Sequence, residues 1–259
     1  MTNLSKELQI ALQAARAAAK IIEKNFKKTK TSNVKDDAKG LVTATDLEAD
    51  KTIVKILSEN SNHPVLSEES GLSEKTNGPI WVIDPLDGTN NFARSIPLFG
   101  VSIGLMHGKE SLVGVIIDPL HKKEYYAVKG EGAFCNGEKI QLPEFDNEYI
   151  PMIFLNHGYH KTHRNKFKKM TTATASFYNT LKLGTTAIEM CMVATGAADA
   201  FLTVGDELWD FAAGIVIAKE AGCIFTDWQG NPWDGKTNHL LVARPEVHTN
   251  LVEIIKNFM

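Results

Sequence analysis

Cysteine is scarce in this chain, and what there is forms no pattern. Cys135, Cys191 and Cys223 are three among 259 residues. Odd in number and far apart, they exclude a CxxC metal or redox motif and a disulfide framework, and read as reduced, packed thiols. Long apolar runs are missing too. No stretch approaches the roughly 18 consecutive apolar residues of a membrane span, and the first 26 residues mix charges into a helical apolar period without a small-residue cleavage site. A cytoplasmic protein with no membrane partner is therefore expected. Nor is there an excess of one charge: a net charge of −3 gives no electrostatic reason to bind nucleic acid. Fixed-period repeats, low-complexity tracts and a Pro/Gly/Ser-rich linker are all absent, which argues against loosely tethered domains.

What is present is enough apolar residue, 43% of the chain, to fill the core of one large domain or of two tightly packed lobes. Leu8, Leu12, Ala15, Ala19 and Ile22 recur at spacings of three and four, which predicts a helix over Leu4–Phe26. A polar loop follows over 27–40. "LVTATD" then reads as a short strand and "LEADKTIVKILSEN" as a helix with Leu47, Ile53, Val54 and Leu57 inward. From residue 80, "IWVID", "FGVSIGLM", "SLVGVIID" and "KEYYAVKG" alternate between turn signals, the pattern of an antiparallel run. From Leu181 the order becomes strand, helix (185–195), strand, helix (211–221), strand. These patterns predict an α+β lobe over 1–146 and an α/β lobe over 147–259, packed as one unit.

Three segments share one design. In "VLSEES", "WVIDPLDGT" and "ELWDFAAG" an apolar run leads directly to an acidic residue where the chain turns, giving Glu68, Asp84, Asp87 and Asp210. Carboxylates from distant segments converge where chain segments end side by side, and hard oxygen ligands of this kind suit Mg²⁺. Four carboxylates repel one another without a cation, whereas two divalent ions neutralise them and form the pair that serves in-line phosphoryl displacement. Gly88 and Thr89 complete the pattern: a helical turn starting at "GTNNF" aims backbone N–H groups at an anion, and Asp46 is placed to take the hydrogen bond of the Thr89 hydroxyl. Each piece alone reads as an ordinary turn or helix start; their joint occurrence carries the inference.

"LVTATD", "SEES", "WVIDPLDGTNNF" and "ELWDFAAG", in this order and within a similarity running from about residue 8 to residue 243, resemble the inositol monophosphatase family of Mg²⁺-dependent, lithium-sensitive phosphatases. The resemblance implies a layered αβαβα sandwich, the sugar-phosphatase fold, and a homodimer acting on a small phosphorylated metabolite. It implies that Glu68, Asp84 and the Leu86 carbonyl hold one Mg²⁺, and that Asp84, Asp87 and Asp210 hold a second. A third, weaker Mg²⁺ is admitted near Glu68. Asp87, Gly88 and Thr89 would then bind phosphate, with Glu68, Thr89 and Asp46 serving catalysis.

The substrate side departs from the family. Thr203 stands where the animal enzymes have an acidic sugar contact, Leu181 where an arginine is common, and Thr186 where a small residue touches the sugar; Gly184, Thr185, Thr186 and Thr203 are the substrate-side candidates. Asp206 and Glu207, in the same loop as Thr203, are expected at an exposed turn. Inositol monophosphate is the first expectation for the substrate, with histidinol phosphate and fructose 1,6-bisphosphate as alternatives. A regulatory binding protein in a transcription complex is the rival from another class. His157, His160 and His163 suggest a metal site more weakly than they suggest a solvated basic loop, and Lys161, Arg164 or Lys168 is a candidate for the edge of the site. Gly104, Gly108 and Gly114 lack the following helix of a dinucleotide fingerprint.

Overall fold

The computed structural model describes residues 4–26, 28, 32–34, 41–158 and 160–258; most of the loop expected over 27–40 lies outside these residues. Helices α1 (Leu4–Asn25) and α2 (Ala44–Asn60) cover one face of an eight-stranded sheet. A small hairpin, β1 (Ser32–Val34) with β2 (Leu41–Thr43), leads into α2. The large sheet contains β3 (Val65–Ser67), β4 (Gly71–Leu72), β5 (Ile80–Asp87), β6 (Gly100–His107), β7 (Glu110–Asp118), β8 (Lys123–Val128), β9 (Gly132–Cys135) and β10 (Glu138–Lys139), with the short helix α3 (Thr89–Ala93) after β5. Its order is β10-β9-β8-β7-β6-β5-β3-β4, an antiparallel meander except where β3 runs parallel to β5. A second sheet of order β12-β11-β13-β15-β14 is built from β11 (Met152–His157), β12 (Asn179–Leu181), β13 (Ala200–Val204), β14 (Ile224–Asp227) and β15 (His239–Ala243). Between the sheets lie α5 (Thr186–Ala194) and α6 (Leu208–Glu220), while α4 (Lys161–Thr174) and α7 (Pro245–Phe258) cover the outer face of the second sheet. The layers are αβαβα, as the resemblance implies.

Strand alternation sets the site. On β5, Trp81 and Ile83 enter the core under α1 and α2, whereas Val82 faces the core between the sheets. Asp84, two residues on, takes the inter-sheet side as well. Helix α6 comes unusually close to that face because Gly104 and Gly114 are paired across β6 and β7 beneath it. A Cβ on Gly104 would stand 3.0 Å from backbone atoms of Ala212 and Ala213, and one on Gly114 only 2.3 Å from the Ala213 carbonyl oxygen. Ser111 Oγ donates 2.8 Å to the Ala212 carbonyl and pins the same turn. These glycines thus have a packing role. Gly114→Val is expected to destabilise the fold by about 1–3 kcal/mol through overpacking and to lower activity by displacing Asp210; urea unfolding within 0.5 kcal/mol of the parent, a roughly neutral surface-like effect, would contradict this account.

Several element boundaries differ from expectation: residues 32–34 of the expected loop form β1, the strand expected from Leu181 ends there as β12, and two helices start earlier. Helix α2 begins at Ala44, not at Leu47, because Thr43 and Asp46 form a capping box; Leu47 is consequently 44% exposed instead of inward. Helix α6 begins at Leu208, three residues before the apolar period becomes visible, capped reciprocally by Glu207 and Asp210.

Candidate active site

Three carboxylates meet. Asp84, Asp87 and Asp210 each offer an oxygen within 4.8 Å of the others. The protein holds one oxygen of each: Leu86 N–H donates to Asp84 Oδ1 (2.9 Å), Thr185 Oγ1 (2.5 Å) and Ala187 N–H (2.8 Å) donate to Asp87 Oδ2, and Glu207 N–H donates to Asp210 Oδ2 (2.7 Å). Among the described residues the second oxygen of each receives no protein hydrogen bond, so the cluster presents fixed ligands to one shared space. Glu68 follows β3, with its N–H donated to the Ile83 carbonyl at 3.2 Å, and its charge acts on all three aspartates. Behind it, the Ser67 hydroxyl bonds to the buried Asp50 of α2 and fixes the start of the Glu68 turn.

The electrostatics are those of a cation site. Burial first, then the charges of Glu68, Asp87 and Asp210, pushes the Asp84 carboxyl well above the ordinary range. Burial, then Asp206 and Asp87, does the same to Asp210. Asp87 is pushed up to about 7 by burial even though Thr185 and Ala187 stabilise its anion. Converging carboxylates, two buried and Asp210 half-buried, oxygen donors only, each with one oxygen held, fit Mg²⁺ and would suit no soft metal. As expected from sequence, Asp84, Asp87 and Asp210 come together, with Glu68 beside them and Leu86 fully buried at the same strand end.

Gly88 takes φ +92°, where a Cβ would also stand 3.0 Å from the Leu98 carbonyl; glycine is required there on both counts. It turns the chain so that Thr89 reaches Asp46, with Thr89 Oγ1 2.8 Å from Asp46 Oδ1 and 3.0 Å from the Leu86 carbonyl. Asp46 is held from behind by the Thr43 N–H at 2.9 Å and by the Thr43 hydroxyl. Its capping role and its role towards Thr89 therefore coexist on its two oxygens. Burial raises its affinity for a proton.

Glu68, Asp84, Leu86, Asp87, Gly88, Thr89 and Asp210 line one cavity of ≈ 680 Å³, and Asp46 stands behind Thr89, outside the lining. Its other wall corrects the substrate-side expectations. Gly184 lines it, and so does Thr186, but the Thr186 hydroxyl is already engaged, donating to Asp206 Oδ2 at 2.7 Å and accepting from Asn156 Nδ2 at 2.9 Å. Thr185 belongs to the acidic cluster through Asp87 and is outside the lining. Thr203 is fully buried on β13, paired in register with Asn156, and does not reach the cavity. Asp206, expected at an exposed turn, is buried in the wall instead, because the chain turns inward at Gly205 (φ +85°) to meet α6. Glu207 is exposed, as expected, and also borders the cavity.

His157, His160 and His163 do line the cavity, yet they form no metal-binding group among the described residues. Lys161, Arg164 and Lys168 are exposed on α4 and lie outside its lining. Leu181 is exposed on the edge strand β12, and the neighbouring Lys182 faces the cavity in its place. Lys182 and Asn91 were not singled out from the sequence. Asn91 Nδ2 donates to the Leu98 carbonyl at 2.9 Å and to the Leu183 carbonyl at 2.8 Å, tying the Gly88 turn to the opposite wall.

Comparison with known proteins agrees with this geometry. Residues 3–259 match the inositol monophosphatase family. The fructose-1,6-bisphosphatase/inositol-1-monophosphatase of Aquifex aeolicus is 32% identical over 268 residues, covering 100% of this chain and 98% of the relative. Inositol monophosphatase 1 of Homo sapiens is 32% identical over 249 residues, 93% of this chain and 90% of its own. Among solved structures, an inositol monophosphatase from Anabaena aligns with a TM-score of 0.88 at 28% identity, over 100% of this chain and 98% of the other.

Proposed function

Since the chain belongs to the inositol monophosphatase family of phosphatases, we propose that it is a Mg²⁺-dependent phosphomonoesterase of a small sugar or polyol phosphate, with inositol monophosphate the first substrate to test. The observation that carries this reading is the meeting of Asp84, Asp87 and Asp210 in one cavity with Thr89, whose hydroxyl Asp46 holds from behind. Glu68, Asp84 and the Leu86 carbonyl would hold one Mg²⁺; Asp84, Asp87 and Asp210 would hold another. When bound, Mg²⁺ supplies charge neutralisation, a more acidic water and Lewis-acid stabilisation of the leaving oxygen.

The chain's own groups do the positioning. Thr89 donates its hydroxyl proton to Asp46, so the oxygen lone pairs are left to accept a hydrogen bond from the attacking water. Because Asp46 is fixed by Thr43, that orientation is set before substrate arrives. The N–H groups at Gly88 and Thr89 serve the phosphate, and Gly88 permits its close approach. The family adds the further expectations of a homodimer and inhibition by lithium.

The test is phosphate release from inositol 1-phosphate, histidinol phosphate, fructose 1,6-bisphosphate and adenosine 3′,5′-bisphosphate, with and without Mg²⁺. Mg²⁺-dependent turnover of a sugar or polyol phosphate above the nucleotide is expected; turnover without divalent ion would refute the reading. Thr89→Val, which keeps shape and loses the hydroxyl, is expected to lower kcat by about 10²-fold with KM little changed. An unchanged kcat would remove Thr89 from water positioning.

A further inference from the structure

The cavity carries a cation as well as its acidic cluster. Lys182 lines the cavity, and its Nζ lies 5.1 Å from the centroid of the Phe167 ring. That ring is itself held edge-on against His157, with centroids 4.5 Å apart. Phe167 thus gives the ammonium a platform and restricts where it points. Lys182 forms no ion pair among the described residues. The carboxylates whose charge it feels are Asp206 and Glu189, and both have other partners: Thr186 donates to Asp206, while Leu183 N–H (2.7 Å) and Asn156 (3.4 Å) donate to Glu189.

The neighbouring helix adds to this. In a chain of net charge −3, α4 carries Lys161, Arg164, Lys166, Lys168 and Lys169 and no acidic residue. None of the five pairs with a carboxylate among the described residues. The helix faces the site by its start: His160, its N-cap, and His163, in its first turn, both line the cavity. His160 Nδ1 is occupied by Thr162, 2.7 Å from its Oγ1 and 3.3 Å from its N–H. Although Asp206 and Glu207 line the same cavity, Lys182 forms no direct ion pair among the described residues, and such an ammonium suits an anion better than a neutral hydroxyl.

We propose that Lys182 is a specificity-determining residue that binds a second anionic group of the substrate, a phosphate or carboxylate carried on the alcohol being released, with the α4 cations raising the anion's local concentration. The proposal rests on the phosphatase reading for the position of the first phosphate. It predicts that the enzyme prefers doubly anionic esters to singly anionic ones of the same size.

Two matched pairs separate the sources of the second charge: fructose 1-phosphate against fructose 1,6-bisphosphate, and glucose 1-phosphate against glucuronate 1-phosphate. The doubly anionic member of at least one pair should show the higher kcat/KM. Lys182→Met keeps an unbranched stem over Phe167; it should raise KM for that member roughly tenfold, the effect of one charge-assisted contact. Its kcat and the kinetics of the singly anionic members should stay within about twofold on the same scale, and Lys182→Arg should restore most of the loss. An equal loss on both members of each pair, or no preference in the parent, would overturn the proposal.

Binding gives a readout independent of turnover. In an Asp46→Asn background, which leaves the proposed metal ligands intact, calorimetric affinity for the four esters with Mg²⁺ should show the same Lys182-dependent difference. If the difference appears and the parent enzyme turns over neither these four nor inositol 1-phosphate or histidinol phosphate, the phosphatase reading fails and the Lys182 contact stands. If Lys182→Met binds all four as tightly as the parent, the Lys182 contact fails whatever the turnover.

Discussion

Asp84→Asn is expected to lower turnover by at least about 10³-fold, the scale on which removal of a preorganised charge-stabilising group acts, while the protein stays folded. Asp84 is the carboxylate proposed to serve both Mg²⁺ ions, and it stands where the charges of Glu68, Asp87 and Asp210 all reach it. Asparagine has the same shape and its side-chain carbonyl can still accept the Leu86 N–H that Asp84 Oδ1 accepts now. The substitution therefore removes a negative charge and a metal ligand with little change in packing. It also relieves repulsion in the metal-free protein, so the variant should melt at a temperature no lower than the parent when a chelator is present. Circular dichroism, a melting curve in EDTA and phosphate release at rising Mg²⁺ would be measured together. Activity within tenfold of the parent at saturating Mg²⁺ would sink the assignment of Asp84.

The acidic cluster was legible because each of its members closes a local pattern. Trp81-Val82-Ile83 alternates between two cores, and the same alternation carries Asp84 to the inter-sheet side. Thr43 with Asp46, and Glu207 with Asp210, are residues three apart at helix starts, and in both helices the capping acid is also a member of the candidate site. That spacing was visible, and weighing it above apolar periodicity would have placed both helix starts correctly.

The substrate side was less legible because its geometry is long-range. The hydrogen bond from Thr185 to Asp87 joins residues 98 positions apart, and nothing near Thr185 in sequence marks it as belonging to the acids. Thr203 is a substrate-side candidate only through the family resemblance, and its place is decided by pairing with β11 and β15, which buries it inside the sheet. One position separates Leu181, exposed at the sheet edge, from Lys182 in the cavity wall. Alternation along a three-residue strand at an edge is too short a pattern to say which of the two turns inward.

The second large effect is the coupling of pH, Mg²⁺ and stability. Asp84, Asp87 and Asp210 hold their protons to higher pH in the folded metal-free protein than in the unfolded chain, chiefly because they are buried; Asp87 does so up to about 7 against an ordinary 3.8. Between these values the unfolded state has fewer protons bound than the folded one, so the stability of the metal-free protein falls as pH rises through the window from about 4 to about 7. Mg²⁺ acts in the opposite sense, because it binds the deprotonated carboxylates and competes with protons for them. In EDTA the protein is thus expected to melt at a lower temperature at pH 8 than at pH 6. Mg²⁺ at 100 times its dissociation constant should add about 2.7 kcal/mol, and a fixed Mg²⁺ concentration should stabilise far more at pH 8 than at pH 6. Asp84→Asn, with one of the coupled carboxyls removed, should flatten both dependences. A Mg²⁺ stabilisation that is the same at the two pH values, or larger at pH 6, would mean that the ion does not displace protons from this cluster, and the cluster would lose its place as the metal site.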